Sequence, residues 1–228
     1  APAKLNLFFE VLARRVDGFH EVETLVVPID LVDTLHFRAQ SSGPIALEWV
    51  GASAQSAPEA ARWWHIPPAA DNLVVRALEL LRRRADASQG ASIRLVKRIP
   101  SEAGLGGGSS DAAAALVAGN LGWRLGWSHE ELAVLAAELG SDVPLFLRRG
   151  MSICRGRGVQ VESLSAPAGW HFVVVKPPAG LSTAEVYAAC RVPEQPESMA
   201  PLVEALRRGD AAGAGRLLFN RLEEPATR

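Results

Sequence analysis

A glycine-rich loop is the part of this chain whose residue types and spacing point most directly to chemistry. Residues 100–115 read P-S-E-A-G-L-G-G-G-S-S-D-A-A-A-A. Glycines adopt positive φ values and let a backbone approach a ligand closely, because no Cβ stands in the way. The alanine-rich end predicts a helix, whose N-terminus offers unpaired N–H groups and partial positive charge. Such a loop binds phosphate, so the chain is predicted to bind a nucleotide.

The loop differs from the commoner nucleotide-binding motifs. A P-loop requires a lysine before its final hydroxyl residue, but Gly108 is followed directly by Ser109. Counted from Gly104, the dinucleotide fingerprint requires a glycine at position 109, where a serine stands. The protein-kinase motifs H-R-D and D-F-G are missing from the sequence. A flexible linker is the remaining alternative, and the strand-like run 92–99 before the loop argues against it.

Two isolated charged residues are candidates for phosphoryl-transfer chemistry, which needs charge neutralisation and a group that deprotonates the acceptor hydroxyl. Asp142 stands between a predicted helix end at Gly140 and an apolar run. Lys4 stands inside an apolar strand-like segment. From the residues alone, Asp142 is equally explained as a cap, and Lys4 as a strand-end lysine that faces water.

Bulk composition describes an ordinary globular protein. Of 228 residues, 48% are hydrophobic and 21% are charged, and the formal net charge of −1 gives no support to nucleic-acid or membrane-surface binding. Cys154 and Cys190 are far apart, so we expect free thiols and a reducing cytoplasm. No apolar run approaches the length of a membrane span, and we expect no signal peptide.

Interleaved strands and helices are predicted to position these residues. Strands are expected at 4–12, 21–28, 33–39, 92–99, 151–154, 159–163 and 171–176. Helices are expected at 71–81, 109–121, 128–140, 183–190, 199–208 and 211–222. The first helix is expected to be amphipathic, with Asp71 or Asn72 as its cap, and Ser128–Glu131 has the capping-box pattern that opens the third. Residues 40–70 are expected to be irregular. The pattern predicts an α+β fold in which helices form one layer over a sheet.

Six motifs in order carry a family resemblance. They are A-P-A-K-L-N-L-F (1–8), D-G-F-H (17–20), D-N-L-V-V-R (71–76), the glycine loop, G-S-D-V-P (140–144) and L-S-T-A-E-V-Y (181–187). The chain thereby resembles the galactokinase–homoserine kinase–mevalonate kinase (GHMP) superfamily. The resemblance implies a two-layer fold with an ATP-binding domain at 1–155 and a smaller C-terminal substrate domain at 156–228. The superfamily's third glycine-rich motif has no counterpart here, so we expect the second domain to be incomplete.

Within the superfamily, the first two motifs are most similar to kinases whose substrate carries cytidine diphosphate. The resemblance implies transfer of the ATP γ-phosphate to the 2-hydroxyl of a cytidine diphosphate-linked methylerythritol, in the non-mevalonate isoprenoid pathway. It implies that Asp142 is the general base and that Lys4 is its cationic neighbour. The implied substrate-binding residues are Asn6, Phe19, His20, Asp142, Thr183 and Tyr187, with Phe19 and Tyr187 offering stacking surfaces for the cytosine.

The resemblance also implies ATP and Mg²⁺ as cofactors. The implied ATP-binding residues are Asn72, Lys97, Pro100, Gly104, Leu105, Gly106, Gly107, Gly108, Ser109, Ser110 and Asp111. The hydroxyl of Ser110 is the implied Mg²⁺ ligand. From the residues alone, Lys97 is equally explained as part of a solvated strand edge, and Asp111 as a favourable charge at a helix start. The expected assembly is a monomer or a weak homodimer.

Two other functions stay open on the sequence. One is another GHMP kinase, acting on homoserine, mevalonate or a sugar. The other is a nucleotide-binding module without turnover. Arg155 and Arg157 either meet the substrate diphosphate or face water, and residues 82–84 are interpreted as a solvated helix end. Trp63 and Trp64 are interpreted as packing residues or an adenine-side wall.

Overall fold

The computed structural model describes residues 1–51, 66–167, 169–177, 180 and 182–227. Eight strands are present in these ranges: β1 (Pro2–Arg14), β2 (His20–Val32), β3 (Thr34–Gln40), β4 (Ile45–Gly51), β5 (Gly90–Lys97), β6 (Ser152–Gly156), β7 (Gln160–Ser163) and β8 (Phe219–Asn220). The α-helices of the same ranges are α1 (Leu73–Arg84), α2 (Gly107–Gly122), α3 (His129–Leu139), α4 (Thr183–Ala189), α5 (Ala200–Arg207), α6 (Ala211–Arg216) and α7 (Glu223–Ala226). This mixture of helices and strands confirms the predicted α+β class.

The chain divides into two compact units that are not continuous in sequence. The first unit contains residues 1–4 and 29–147, and the second contains residues 5–28 and 148–228. The family resemblance implies a different division, into domains at 1–155 and 156–228. That division stays a prediction.

The first unit is a helix layer over a three-stranded sheet. The strand order is β3-β5-β4, with β3 antiparallel and β4 parallel to the central β5. Ile93 and Leu95 of β5 are buried with apolar residues from α1, α2 and α3 in one core. The amphipathic face predicted for the first helix is therefore buried as expected, and β5 leads directly into the glycine loop.

Local capping chemistry sets the helix starts in this unit. Asn72 caps α1, because its Oδ1 accepts a hydrogen bond from the backbone N–H of Val74 at 2.9 Å. Ser128 and Glu131 form the reciprocal capping box predicted for α3, and the helix ends at Leu139, before Gly140. Both caps confirm the sequence predictions.

The second unit contains most of a five-stranded sheet of order β7-β6-β2-β1-β8. Strands β2, β6 and β7 pair antiparallel, whereas β8 pairs parallel with β1 at Phe8 and Phe9. Glu10 of β1 is fully buried, and its carboxylate accepts hydrogen bonds from Arg221 at 2.7 and 2.8 Å. This ion pair joins β1 to residues more than 200 positions later in the chain.

Several predicted elements were wrong. Residues 45–51 were expected to be irregular but form β4, since pairing with β5 satisfies their backbone groups. Residues 171–176 were expected to form a strand, yet within 169–177 the described residues join no sheet, and Val173 and Val175 are exposed. The last predicted helix ends at Arg216 instead of 222, because Phe219 and Asn220 pair with β1. Trp63 and Trp64 lie outside the described residues.

No helix in the described ranges is both long and apolar enough to cross a bilayer.

Candidate active site

Lys4 and Asp142 are brought together in the first unit. Lys4 Nζ lies 3.6 Å from Asp142 Oδ2, although the residues are far apart in sequence. The backbone N–H of Lys4 donates to Leu105 O at 2.9 Å, and Asp142 lies in the turn that follows α3. The Lys4 side chain is largely buried, whereas the Asp142 side chain is 47% exposed. An accessible carboxylate beside a cation is suited to take up a proton while the cation offsets developing negative charge.

The glycine loop lies directly against Lys4. Gly104 and Gly106 have φ values of 69° and 70°, the left-handed region that favours glycine. A Cβ added at Gly106 would lie 2.8 Å from Phe146 Cζ and 3.1 Å from Lys4 Cγ. A Cβ at Gly104 would meet no described atom within 4 Å. The loop is therefore tightly packed on the Lys4 side at Gly106 and open at Gly104.

Helix α2 presents an uncapped N-terminus at the end of this loop. It begins at Gly107, two residues before the predicted start, with Gly106 as its N-cap. None of the side chains that the structure describes caps it. Its first backbone N–H groups, at Gly107, Gly108 and Ser109, have no acceptor within the helix. An anion placed there would meet these N–H groups and the positive end of the helix dipole.

The first turns of α2 contain two buried polar side chains. Ser110 and Asp111 are 1% and 2% exposed. The Ser110 hydroxyl oxygen and Asp111 Oδ1 have no hydrogen-bond partner among the described residues. Burial raises the pKa of Asp111 to about 7, although the nearby Lys97 ammonium acts to lower it. Such oxygens are costly to bury, so their environment favours an added donor or cation.

Lys97 is the centre of a buried ionic cluster that the sequence did not reveal. Its side chain is 4% exposed, and its ammonium donates hydrogen bonds to Asp33 and to Asp111 Oδ2, the latter at 2.6 Å. The alternative that Lys97 belongs to a solvated strand edge was therefore wrong. The sequence signal at Asp33 is a single carboxylate at the start of a predicted strand, which is also typical of an exposed strand end.

The remaining predicted ATP-binding residues are buried or half-buried. Asn72 is 6% exposed and its oxygen caps α1. Leu105 is buried, and its carbonyl accepts the hydrogen bond from Lys4. Pro100 is half-buried at the start of the loop. Phe146 contacts the loop at Gly106 but was not predicted from the sequence, in which it is one apolar residue of a short run.

The predicted cytosine-reading residues belong to the second unit. The His20 and Tyr187 rings have centroids 5.0 Å apart and are inclined by 31°, and Phe9 meets Tyr187 edge-on at 6.3 Å. Phe19 is 48% exposed, and the Arg157 guanidinium carbon lies 3.9 Å from its ring centroid. These contacts form a patch of aromatic and cationic groups.

Asn6 and Arg155 of this unit have local partners. The Asn6 amide donates to Thr24 Oγ1 at 2.7 Å, and this hydroxyl donates to Phe8 O at 2.7 Å. Thr183 begins α4. Arg155 donates to Glu23 and Glu162, both at 2.8 Å, so it is held in ion pairs rather than simply facing water.

Comparisons with known proteins indicate one family. The sequence profile of the family described as GHMP kinases N terminal domain matches residues 72–150. The chain is 46% identical to 4-diphosphocytidyl-2-C-methyl-D-erythritol kinase of Pelotomaculum thermopropionicum over 226 residues, which cover 98% of the chain and 74% of that relative. The enzyme of the same name from Heliobacterium modesticaldum is 42% identical, with coverage of 98% and 73%.

Solved structures give the same result. The chain resembles the crystal structure of a 4-(cytidine 5'-diphospho)-2C-methyl-D-erythritol kinase with a TM-score of 0.71 and 35% identity, covering 100% of this chain and 76% of that one. The crystal structure of a homoserine kinase from Cytophaga hutchinsonii matches with a TM-score of 0.62 at 19% identity, and the match covers 99% of this chain and 73% of that one. This likeness shows a shared fold. The chain belongs to the 4-diphosphocytidyl-2-C-methyl-D-erythritol kinase family of GHMP kinases.

Proposed function

We propose that this chain is an ATP-dependent kinase that phosphorylates the 2-hydroxyl of 4-diphosphocytidyl-2-C-methyl-D-erythritol. The observation that carries the proposal is the 3.6 Å approach of Lys4 Nζ to Asp142 Oδ2 beside the glycine loop. The relatives that match nearly the whole chain bear the name of this kinase. Two observations therefore support the proposal: the approach of Lys4 to Asp142 beside the loop, and the shared name of the relatives.

Asp142 is assigned as the general base. Its carboxylate is accessible, so it has room to accept the proton of an incoming hydroxyl. Lys4 stabilises the negative charge that develops on the attacking oxygen. The loop that contacts the Lys4 side chain would hold the phosphate that receives this oxygen, so acceptor and donor groups belong to one unit.

The ATP phosphates are assigned to the glycine loop and the start of α2. The N–H groups of Gly107, Gly108 and Ser109 supply donors without requiring a lysine in the loop. The open space at Gly104 allows a phosphate to approach the backbone. Asn72, Lys97, Pro100 and Asp111 are retained as predicted nucleotide-binding positions, although the side chains of Asn72, Lys97 and Asp111 also have structural partners.

Mg²⁺ fits the buried oxygens at the start of α2. The described ranges hold no group of three or more His, Cys, Asp or Glu side chains placed to bind a metal ion. A kinase Mg²⁺ needs only one or two protein ligands, because phosphates and water supply the others. The unpartnered Ser110 hydroxyl and Asp111 Oδ1 are oxygens of the required type, and they would hold the ion. When bound, Mg²⁺ neutralises charge on the phosphates.

Cytidine recognition is assigned to the aromatic patch of the second unit. Phe19 and Tyr187 provide ring surfaces for a base, and His20 offers both a donor and an acceptor. Asn6 and Thr183 are retained as predicted substrate contacts. The substrate would replace or join the existing ring contacts between His20 and Tyr187.

We also propose that the enzyme acts in the bacterial cytoplasm as a monomer or weak homodimer. ATP is available there, and reducing conditions suit the thiol groups of Cys154 and Cys190. Size-exclusion chromatography with light scattering would test the assembly.

An ADP-release assay with alternative alcohols tests the function. We expect Mg-ATP turnover with 4-diphosphocytidyl-2-C-methyl-D-erythritol, and none above background with homoserine, mevalonate or galactose. CMP and CDP should raise the melting temperature, since ligands that bind the native state stabilise it. Turnover of one of the other alcohols would instead identify another GHMP activity, and nucleotide binding without any turnover would indicate a binding module.

A further inference from the structure

Asp33 is a buried carboxylate that the proposed transfer chemistry does not use. It stands between β2 and β3 and is 2% exposed. A carboxylate without compensating partners is costly at such a position, so its contacts indicate what it stabilises. All of its side-chain contacts given below lie within the first unit.

One oxygen of Asp33 holds the chain where it enters the glycine loop. Oδ1 accepts hydrogen bonds from the backbone N–H groups of Arg98 at 2.5 Å and Ile99 at 2.9 Å. These two residues directly follow the end of β5, so the carboxylate replaces a strand partner at this point. Ile99 then contacts the other end of the loop, because a Cβ at Gly107 would lie 2.9 Å from Ile99 Cγ2.

The other oxygen of Asp33 is linked to the helix that leaves the loop. Oδ2 accepts a hydrogen bond from the Lys97 ammonium, which also donates to Asp111 Oδ2 of α2 at 2.6 Å. A Cβ at Gly107 would lie 3.4 Å from Lys97 Nζ, so this ammonium also lies beside the first residue of α2. One carboxylate is therefore connected to both ends of the loop, directly at its entry and through Lys97 at its exit.

We propose that Asp33 is a positioning residue that fixes the glycine loop between β5 and α2 in the conformation that binds the ATP triphosphate. The inference rests on the proposed function, since it assumes that this loop binds ATP. Its physical basis is preorganisation: a loop that is already ordered loses less entropy when its N–H groups bind phosphate. Asp33 itself touches neither substrate in this proposal.

The substitution Asp33→Asn tests the proposal. The amide keeps an oxygen for the Arg98 and Ile99 N–H groups, but it loses the negative charge that holds the Lys97 ammonium. We expect KM for ATP to rise about tenfold or more, as for the loss of a charged hydrogen bond, while KM for the cytidyl substrate changes by less than about twofold. A merely structural role would lower the active fraction and leave both KM values unchanged. Equal KM values for ATP in Asp33→Asn and the unsubstituted chain would overturn the proposal.

The matched control is Asp30→Asn, three residues earlier, in β2. Asp30 is exposed, so the same chemical change there should leave both KM values and the melting temperature unchanged. If Asp33→Asn does not yield folded protein, Asp33→Glu keeps the charge and displaces the carboxylate by one methylene. The same selective rise in KM for ATP is expected, and its absence would equally overturn the proposal.

Hydrogen exchange provides a test that needs no substitution. In the nucleotide-free chain, the amides of Arg98 and Ile99 should exchange as slowly as those within β5, because Asp33 already accepts them. The amides of Gly107, Gly108 and Ser109 should become protected only when adenylyl-imidodiphosphate and Mg²⁺ are added. Fast exchange at both Arg98 and Ile99 in the free protein would refute the positioning role.

The two proposals fail in different ways. No ATP turnover by the unsubstituted chain with any of the alcohols would contradict the proposed function and, with it, this inference. Normal turnover by the unsubstituted chain, together with an unchanged KM for ATP in the Asp33 variants, would overturn the positioning role alone.

Discussion

The glycine loop of the first unit and the aromatic patch of the second unit are held in different ways. The loop is bounded by buried ionic contacts of Lys97 and by tight packing at Gly106. The patch consists of stacked and partly exposed rings, with His20 against Tyr187 and Arg157 over Phe19. A polyphosphate is bound by N–H groups at fixed positions, whereas a base needs mainly a flat apolar surface with a few polar partners.

This difference predicts how each region responds to substitution. Removing one partner of a buried ionic cluster leaves an uncompensated charge. Substitutions in the loop region should therefore change stability or activity strongly, even where the side chain changes little in size. Exposed ring contacts contribute about 0.5–1.5 kcal/mol each, so effects in the patch should be smaller and limited to substrate affinity. The four substitutions below test this contrast.

Asp142→Asn should have the largest effect. The amide cannot accept the hydroxyl proton, so we expect kcat to fall by about 10²–10⁴-fold, the usual contribution of a general base. KM for ATP should change by less than about threefold, because the phosphates are assigned to the loop and α2. Steady-state kinetics with both substrates varied would measure this. The control Asp86→Asn changes an exposed aspartate after α1 and should leave kcat unaltered, whereas near-normal kcat in Asp142→Asn would remove the base assignment.

Glu10→Gln tests whether the second unit also depends on a buried ion pair away from its aromatic patch. The Glu10 carboxylate accepts two hydrogen bonds from Arg221 and one from the Glu197 N–H at 2.8 Å. Breaking a buried pair costs about 3–5 kcal/mol, so the free energy of unfolding at pH 7 should fall by an amount near the lower end of that range. The control Glu162→Gln removes an exposed partner of Arg155 and should cost less than about 1 kcal/mol.

The same residue predicts a pH dependence. Burial acts to raise the pKa of Glu10, but the hydrogen bonds from Arg221 and from the Glu197 and Val11 backbones outweigh it, so the pKa is lowered. A lowered pKa stabilises the fold above the ordinary glutamate value of about 4.3, and this contribution is lost as the pH falls further. In urea unfolding between pH 3 and 7, the free energy of unfolding should fall less on acidification in Glu10→Gln than in the unsubstituted chain. Parallel curves for the two proteins would contradict the prediction.

Local chemistry explains what the sequence predicted well. The cap at Asn72 and the capping box at Ser128 involve residues two or three positions apart, so their hydrogen bonds follow from the sequence pattern. The glycine loop was predicted for the same reason, since a strand-like run and a helix former flank it. The 3.6 Å approach of Lys4 to Asp142 is a long-range contact, and it was expected only because the chain resembles a known family.

Long-range pairing explains what the sequence did not predict. Asp33 and Asp111 are far apart in sequence, and nothing local indicates that both bind Lys97. Strand β4 forms by pairing with β5, which follows it after an intervening helix. The valines at 173–175 have high strand propensity, but propensity produces a strand only where a partner strand is present.

Gly106→Ala tests whether tight packing at this glycine also holds the loop. The new methyl group would meet Phe146 at 2.8 Å and Lys4 at 3.1 Å, and alanine is disfavoured at a φ of 70°. The backbone cost and overpacking together should lower the free energy of unfolding by about 2–3 kcal/mol. Gly108→Ala is the matched comparison: Gly108 lies within α2, and its nearest contact would be Leu73 at 3.7 Å. Helix propensity predicts that Gly108→Ala raises stability by about 0.5–1 kcal/mol. In thermal unfolding, the melting temperature should therefore fall in Gly106→Ala and rise in Gly108→Ala.

His20→Ala should have the smallest effect, confined to substrate affinity. The substitution removes a ring 5.0 Å from Tyr187 and a donor–acceptor pair assigned to cytosine. Loss of one stacking or hydrogen-bonding contact of about 1–1.5 kcal/mol corresponds to about a five- to tenfold rise in KM for the cytidyl substrate. KM for ATP should stay unchanged, and CMP should no longer raise the melting temperature as much.

The control for this substitution is His129→Ala, at an exposed position at the start of α3, which should leave both KM values unaltered. A His20 variant in which both KM values rise together would contradict the assignment of this ring to cytosine recognition. A rise confined to the cytidyl substrate, set beside a rise confined to ATP in Asp33→Asn, would establish that the two regions recognise different ligands and are maintained by different physical means: ring contacts in one, and buried charge in the other.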